Sequence, residues 1–248
     1  MSKVSSREVL DYFSKSLVLN HYQEATEKVG LWSSEEIIFR KTFCDPTLKV
    51  LELGCGVGRI SYGLWSLGYT ELVATDFSKA MIKRAIRLNK IFQAGICFQV
   101  EDAKSLSFPA SSYDGVIFGF NGLMQIPGRF NRKQVMKEAG RVLKKDGYFV
   151  FTTHDRMMKK WRKFWAMEKK RWRKGSQNPE LLEFGDRYED TEKGKLFIHV
   201  PEVSEVRSDL QEAGFIVERD ILKSKISQES KLVNEYSDEC RFWIARKK

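Results

Sequence analysis

The chain has 248 residues and a formal net charge of +10, and 42% of its residues are hydrophobic. This length suffices for one α/β domain with a substantial core and one insertion, but not for two full domains. No apolar run approaches the ~20 residues that span a bilayer, and the N-terminus has no apolar signal core, so we expect a cytoplasmic protein without integral membrane association.

The four cysteines give no sign of a metal site. They stand far apart, in no C-x-x-C pair, and no histidine lies near them at zinc-ligand spacing. Buried free thiols are the expected state of these residues, which are Cys44, Cys55, Cys97 and Cys240.

The N-terminal part, residues 1–44, is predicted to be a helical cap ahead of the core. Two or three helices are expected over residues 8–43, and the last opens at Ser33 with Glu36 three residues later, the pattern of a capping box. The cap carries polar-tipped aromatic side chains that either pack internally or close over a ligand bound by the core. These side chains are His21, Tyr22 and Trp32.

The remaining residues, 45–248, alternate short apolar runs with helical patterns, which indicates a parallel sheet covered by helices on both faces. Strands are predicted at about 49–54, 71–76, 96–101, 113–120, 147–154, 215–222 and 239–246. Helices are expected near 131–145, with Gly147 as a stop signal, and over 202–213, with Gly214 as the cap. The stretch between the last two strands has no strong helical pattern, so the seventh strand is predicted to be antiparallel.

Three glycines follow the first strand at alternate positions, in Leu51-Glu52-Leu53-Gly54-Cys55-Gly56-Val57-Gly58-Arg59. Glycine is needed where the backbone takes positive φ or a ligand approaches the main chain, so this turn predicts a nucleotide crevice at the strand's carboxyl end. A dinucleotide-binding turn has its third glycine one residue later, which disfavours NAD as the ligand.

A carboxylate ends the second strand. Asp76 lies 22 residues after Gly54, which places it beside the glycine turn. A carboxylate in that position can accept hydrogen bonds from both vicinal hydroxyls of a ribose, although it could also cap the helix that follows. Phe77 and Met81 would then flank an adenine ring as apolar walls.

The glycine triplet after Leu-Glu-Leu, followed by Asp76 and then by Asp102 at the end of the third strand, resembles the motifs of class I S-adenosylmethionine-dependent methyltransferases. The resemblance covers about residues 45–155 and 196–248. It implies a three-layer, Rossmann-like, seven-stranded α/β fold that binds S-adenosylmethionine and releases S-adenosylhomocysteine. In that family the aspartate at Asp102 accepts from the adenine amine while the next amide, here that of Ala103, donates to the ring. The implied cofactor residues are Tyr22, Glu52, Gly54, Gly56, Gly58, Arg59, Asp76, Phe77, Met81, Asp102, Ala103 and Gly119.

The fourth and fifth strands end in polar residues that face the expected crevice. Asn121 and Gln125 follow the fourth strand, and His154 ends the fifth. Methyl transfer depends mainly on alignment of nucleophile, methyl carbon and sulfur, so a base is not always needed. Where one is needed, His154 is the candidate because its ordinary pKa lies near 6.5. We therefore assign Asn121 and His154 as catalytic candidates and Gln125 as a substrate contact.

Residues 156–195 form an insertion after the fifth strand. Its first part, residues 156–174, holds six lysines and four arginines against Glu168 alone, which is nearly the whole net charge of the chain. Aromatic residues at helical spacing give it an apolar stripe, and two of them, Trp161 and Trp165, are assigned to a substrate pocket. The acidic stretch 180–192 could fold back and neutralise part of this helix.

Three interpretations of the basic helix remain open: a lid over the acceptor pocket, an RNA-binding surface, or a helix resting on an anionic membrane. The interpretation as a lid favours a small-molecule acceptor, which is our first prediction. RNA is the alternative acceptor. A third alternative is a non-catalytic protein that binds S-adenosylmethionine as a sensor or as a partner subunit. The sequence does not determine the oligomeric state.

Overall fold

The computed structural model describes residues 3–248, and its centre is a mixed seven-stranded sheet. The strands of the chain are β1 Val50–Leu53, β2 Leu72–Asp76, β3 Cys97–Val100, β4 Tyr113–Phe118, β5 Leu143–Thr153, β6 Asp186–Thr191, β7 Gly194–His199, β8 Phe215–Leu222 and β9 Arg241–Lys247. All seven strands predicted for the central sheet are present, with ends displaced by a few residues. The other two, β6 and β7, form a separate hairpin.

The strand order of the sheet is β3-β2-β1-β4-β5-β9-β8. Neighbours from β3 to β5 are parallel, whereas β9 pairs antiparallel with both β5 and β8, which confirms the predicted antiparallel last strand. The order reverses between β1 and β4. An open α/β sheet binds its ligand at such a reversal, outside the carboxyl ends of the strands.

Helices cover both faces of the sheet, as predicted. They are α1 Ser6–Phe13, α2 Ser16–Glu24, α3 Ser33–Thr42, α4 Arg59–Ser66, α5 Lys79–Phe92, α6 Arg129–Val142, α7 Arg162–Arg173, α8 Val203–Glu212 and α9 Lys231–Tyr236. Alternate strand residues point to opposite faces. Thus Val50 and Ile117 pack with α3, α4 and α5, while Leu51 and Val116 pack with α6 and α8.

The N-terminal cap has the predicted helices, but its capping box begins one residue earlier than expected. The N-cap of α3 is Trp32, whose backbone amide donates to Glu35 Oε2 over 2.9 Å. The predicted partner, Glu36, instead pairs with Arg40 at the surface. The sequence favoured Ser33 because serine is a common N-cap, whereas here the buried carboxylate of Glu35 determines where the helix begins.

The insertion contains the predicted basic helix, α7, and also the β6–β7 hairpin, which the sequence did not indicate. The cap packs against this insertion. The backbone amide of Val4 donates over 2.9 Å to the carbonyl of Glu180, which precedes the hairpin, and Tyr12 shares a hydrogen bond of 3.2 Å with Thr191 of β6. Cap and insertion together therefore cover the carboxyl end of the sheet.

One predicted stop signal was wrong and another was confirmed. Gly147 does not end α6, because β5 begins directly after the helix at Leu143 and Gly147 lies inside that strand. Gly214 follows α8 with a φ of +86°, the left-handed conformation that favours glycine after a helix. Among the residues that the structure describes, no helix is both long and apolar enough to cross a membrane.

Candidate active site

The glycine turn opens a first cavity at the carboxyl ends of β1, β2 and β4. Gly54 and Gly56 line this cavity with φ values of +60° and +57°. A Cβ added to Gly54 would lie 2.5 Å from the Phe118 ring. Gly58, in contrast, is the left-handed N-cap of α4 and is not among the lining residues. Two of the three glycines thus border the cavity, while the third shapes the turn.

Asp76 lies at the edge of this cavity and holds the glycine turn in place. Its Oδ2 accepts from the Gly56 amide over 2.8 Å, and its Oδ1 accepts from the Ser78 amide over 2.7 Å. Burial raises the pKa of Asp76 to about 6. The alternative role as helix cap is taken by Ser78, whose side chain accepts from the Met81 amide.

The first cavity collects nearly all the residues that the sequence assigned to cofactor binding. Only Gly58 of that set is missing from the lining, which includes Tyr22, Glu52, Gly54, Gly56, Arg59, Asp76, Phe77, Met81, Asp102, Ala103 and Gly119. Glu52 is buried there and accepts from the Ser61 hydroxyl, and burial raises its pKa to about 7.

Arg59 borders the cavity but is already paired. Its guanidinium donates to both carboxylate oxygens of Glu35, over 2.6 and 2.7 Å, and to the Gly30 carbonyl over 2.9 Å. It also lies 4.6 Å from the Trp32 ring centroid. Trp32 is 1% exposed and packs in the core. Arg59 therefore fixes the cap onto α4, a role that the sequence did not reveal.

A second cavity of about 420 Å³ lies next to the first. Residues from the cap, the hairpin and α9 form its wall, together with both residues proposed as catalytic, Asn121 and His154. Four residues line both cavities and mark the passage between them: Tyr22, Phe120, Gln125 and Tyr236. The fold thus places the predicted substrate contact Gln125 between the two cavities.

His154 and Asn121 lie in contact in the wall of the second cavity. His154 Nδ1 lies 2.9 Å from the Glu239 carbonyl oxygen, so we assign the hydrogen to Nδ1 and the lone pair to Nε2. Asn121 Nδ2 donates a long hydrogen bond of 3.5 Å to this Nε2. Burial lowers the pKa of His154, which keeps its imidazole neutral near pH 7. A neutral nitrogen that accepts protons therefore faces this cavity.

Two residues that line the second cavity have side-chain oxygen atoms without hydrogen-bond donors. Asn121 Oδ1 and Gln125 Oε1 are buried without a partner among the described residues. Three carboxylates also stand in the wall, those of Glu189, Glu235 and Asp238, and each has a cation within ion-pair distance, namely Arg187, Lys231 and Lys160. This lining favours a ligand that donates hydrogen bonds.

The turn after β4 is strained where it meets both cavities. Phe120 and Asn121 have φ values of +47° and +59°, which are uncommon for residues other than glycine. Such strain persists when surrounding contacts hold it, and it is concentrated at functional sites. Here Phe120 stacks on Tyr236 at 5.1 Å between ring centroids. No sequence motif indicated a role for either aromatic residue.

The aromatic stripe of α7 does not reach the second cavity. Trp165 is buried against Met124, Ile198 and Val200, and Trp161 joins the same cluster. Neither tryptophan is among the residues that line the two cavities. Their assignment to the substrate pocket stays a prediction, and the stripe packs against the hairpin.

The comparisons with known proteins agree with this architecture. A protein family described as "Methyltransferase domain" matches residues 50–147. A SAM-dependent methyltransferase structure from Methanosarcina mazei has 23% identity and a TM-score of 0.66, and covers 85% of this chain and 96% of its own. Magnesium protoporphyrin IX methyltransferase from Synechocystis PCC 6803, solved with bound SAH, has 15% identity and a TM-score of 0.65, with 98% and 100% covered.

Curated relatives match over shorter stretches. The human "eEF1A lysine and N-terminal methyltransferase" is 29% identical over 119 residues, which are 46% of this chain and 16% of that protein. An uncharacterized protein of Methanocaldococcus jannaschii is 32% identical over 162 residues, or 64% of this chain and 55% of that protein. The chain thus spans only a small part of the human relative's length.

The fold, the first cavity and these matches support an S-adenosylmethionine-dependent methyltransferase, and residues 50–147 match the methyltransferase domain family. The fold is the class I, Rossmann-like, seven-stranded one, and the cofactor of such enzymes is S-adenosylmethionine. The first cavity fits that molecule, because Gly54 and Gly56 leave room against the backbone and the carboxylates of Asp76 and Asp102 line it together.

Proposed function

We propose that this enzyme transfers the methyl group of S-adenosylmethionine to the nitrogen of an amine that enters the second cavity. The observation that supports this acceptor is the lining of that cavity. Two buried carbonyl oxygens, those of Asn121 and Gln125, lack donors, and three carboxylates line the same cavity. An ammonium group supplies several hydrogen-bond donors for such oxygens.

The aromatic passage supports the same acceptor. Tyr22, Phe120 and Tyr236 line both cavities, and His21 stacks on Tyr236 at 4.9 Å between ring centroids. The faces of aromatic rings attract ammonium and methylated ammonium groups. These rings also exclude water from the passage, which strengthens electrostatic contacts with the bound amine.

Each cavity has a separate task in this proposal. Asp76 holds the ribose, and Asp102 and the Ala103 amide hold the adenine. When bound, S-adenosylmethionine supplies an electrophilic methyl carbon on a positively charged sulfur. Asn121 and Gln125 orient the amine, and His154 Nε2 accepts the proton that the nitrogen loses before it attacks. Alignment of the reacting atoms contributes most of the acceleration.

A free amine and a lysine side chain present the same reacting group. The eEF1A methyltransferases that resemble part of this chain carry lysine in their names, whereas the Synechocystis enzyme is named for a porphyrin. A small-molecule acceptor therefore stays a prediction. An RNA acceptor is less favoured, because unmodified RNA carries no aliphatic amine.

The test is a comparison of acceptors that differ only in their functional group. Butylamine, butanol, butanethiol and butyrate, with lysine as a second amine, are incubated with the enzyme and methyl-labelled S-adenosylmethionine. We expect label only in the amines, with N-methyl products identified by mass spectrometry. The Glu189→Gln, Asp238→Asn double variant should raise KM for the amines, because it removes wall charge, while Lys133→Gln, outside the cavity, should not.

Two outcomes would overturn the proposal. Transfer to the alcohol, thiol or carboxylate in preference to the amines would show a different acceptor chemistry. Tight binding of S-adenosylmethionine without transfer to any acceptor, including RNA and protein fractions, would support the non-catalytic sensor instead.

A further inference from the structure

The outward side of α7 is an exposed row of cations, which we call the basic face. It consists of Lys163, Lys170 and Lys174, together with Lys159 in the turn before the helix. Spacings of four, seven and four residues bring these side chains to one side of a helix. Among the described residues, no carboxylate lies within ion-pair distance of any of the four.

The opposite side of α7 is fully used in packing, which fixes the basic face outward. Trp165 is 6% exposed, and Glu168 is buried and pairs with Arg171 at 2.7 Å. Trp172 contacts Phe184 at 6.4 Å between ring centroids. The helix cannot turn its lysines toward the protein without exposing these side chains.

The acidic stretch that follows α7 does not neutralise the basic face, although the sequence had raised that expectation. Glu183 pairs with Arg132 at 2.9 Å, Asp186 with His199 at 2.7 Å, and Glu189 with Arg187. These carboxylates are directed to the core and the hairpin. The basic face therefore keeps its charge for a partner.

The basic face begins at the rim of the second cavity. Lys160, next to Lys159, pairs at 2.7 Å with Asp238, which lines that cavity. Arg187 lies over the Trp161 ring at 4.5 Å and also pairs with Glu189 of the cavity wall. The α7 helix is about 18 Å long, so the basic face extends about that far from the rim of the cavity.

We propose that the basic face docks an acidic segment of the polypeptide that carries the accepting lysine. This inference rests on the proposed amine acceptor. The protein then has carboxylates in the cavity wall, where the lysine enters, and cations on the basic face, where the acidic residues beside that lysine would lie. A polypeptide can place a lysine and several carboxylates about 18 Å apart within five or six extended residues. Unmodified RNA has no aliphatic amine to place in the second cavity, so it does not supply the accepting group on which this inference rests.

The test uses two synthetic peptides of about twelve residues, each with one lysine, and with either glutamates or glutamines along one flank. Methylation of both is measured as kcat/KM, with butylamine as the reference acceptor. The triple variant Lys163→Gln, Lys170→Gln, Lys174→Gln is compared with Lys83→Gln, Arg87→Gln, Lys90→Gln, which removes the same charge from α5. Anisotropy of the fluorescein-labelled glutamate peptide measures docking without turnover.

We expect the wild type and the α5 variant to prefer the glutamate peptide by about tenfold at low salt, and the α7 variant to lose this preference. Anisotropy should show weaker binding for the α7 variant alone. Equal kcat/KM for both peptides, or equal binding by both triple variants, would overturn the docking surface even where butylamine is methylated. So would methylation of an RNA oligonucleotide that outcompetes the glutamate peptide. Failure of the amine proposal has a different signature, no label in butylamine or in either peptide.

Discussion

His154 Nδ1 lies 2.9 Å from the backbone carbonyl oxygen of Glu239, and this contact turns the unprotonated Nε2 toward Asn121. We expect His154→Gln to lower kcat about a hundredfold while the affinity for S-adenosylmethionine stays unchanged, because the residue lines only the second cavity. Turnover with labelled cofactor and calorimetry measure the two effects.

The pH dependence of kcat gives a second test of His154. Burial lowers its pKa below 6.5, and the neutral form is the one that accepts a proton. At saturating amine, kcat should therefore fall as the pH drops through that lowered pKa, and this limb should vanish in His154→Gln. An unchanged acid limb in the variant would remove His154 from the reaction.

Asn121 needs a control for its backbone, since its φ of +59° disfavours most side chains. Asn121→Gly relieves that strain and removes the amide, whereas Asn121→Asp keeps the shape and adds charge. Both should retain cofactor affinity. We expect the glycine variant to lose about tenfold or more in kcat/KM for amines. Thermal unfolding should show that this variant is as stable as the wild type. Equal losses in cofactor binding and turnover would mean that Asn121 acts in cofactor binding instead.

Asp76 is predicted to hold the ribose hydroxyls with its ionised carboxylate. Replacing it by alanine removes a charge-assisted pair worth roughly 2–3 kcal/mol, so S-adenosylhomocysteine affinity should fall by tens to hundreds of fold. Because burial raises the pKa of Asp76 to about 6, wild-type affinity should also decline below that pH. Calorimetry between pH 5 and 8 measures both effects. Asp45→Ala, at an exposed site, is the control, and an unchanged affinity for Asp76→Ala would contradict the assignment.

The strands and the cofactor cavity were predictable because they depend on local patterns. Buried parallel strands appear in the sequence as apolar runs, and Asp76 and Asp102 stand at the ends of such runs. Glycines at positive φ mark the turn. The second cavity was only partly predictable. Asn121, Gln125 and His154 come from strand ends, so sheet topology brings them together.

The rest of the site depends on contacts that are distant in sequence. The hairpin was missed because the β6 sequence Asp-Arg-Tyr-Glu-Asp-Thr has no apolar alternation, and because its stabilising contacts come from the cap and from α7. Tyr236 comes from a six-residue helix with no functional motif. Arg59 resembled a cofactor residue, but its partner Glu35 lies 24 residues earlier in the cap. A single sequence does not show such pairs.

The Arg59–Glu35 ion pair is expected to stabilise the fold. Both side chains are buried, so Glu35→Ala leaves an unpaired guanidinium and should lower the free energy of unfolding by about 3–5 kcal/mol. Glu36→Ala, one residue away at the surface, should have an effect below 1 kcal/mol. Chemical denaturation compares the two. Similar effects would mean that the buried pair does not anchor the cap.

A cluster of ionisable side chains beneath the insertion predicts that the fold is less stable in acid. His199, which is fully buried, lies 2.7 Å from Asp186 and 2.8 Å from Glu205, and Arg156 donates to the other Glu205 oxygen over 2.9 Å. Burial raises the pKa of Glu205, but the hydrogen bond from His199 and the charges of Arg132 and Arg156 outweigh it and lower the pKa to about 2. The ionised carboxylate therefore stabilises the fold above its unfolded pKa.

Glu205→Gln should accordingly lower the free energy of unfolding at pH 7 by about 2–3 kcal/mol. A depressed folded-state pKa gives stability that is present above the unfolded value near 4.5 and lost as the pH falls toward 2. The difference between wild type and variant should therefore shrink over that window. Urea denaturation at pH 7, 4.5 and 3 measures it, with Glu212→Gln on the same helix as an exposed control. A difference that stays constant with pH would show that Glu205 contributes through packing, because only an ionised group links folding to proton binding.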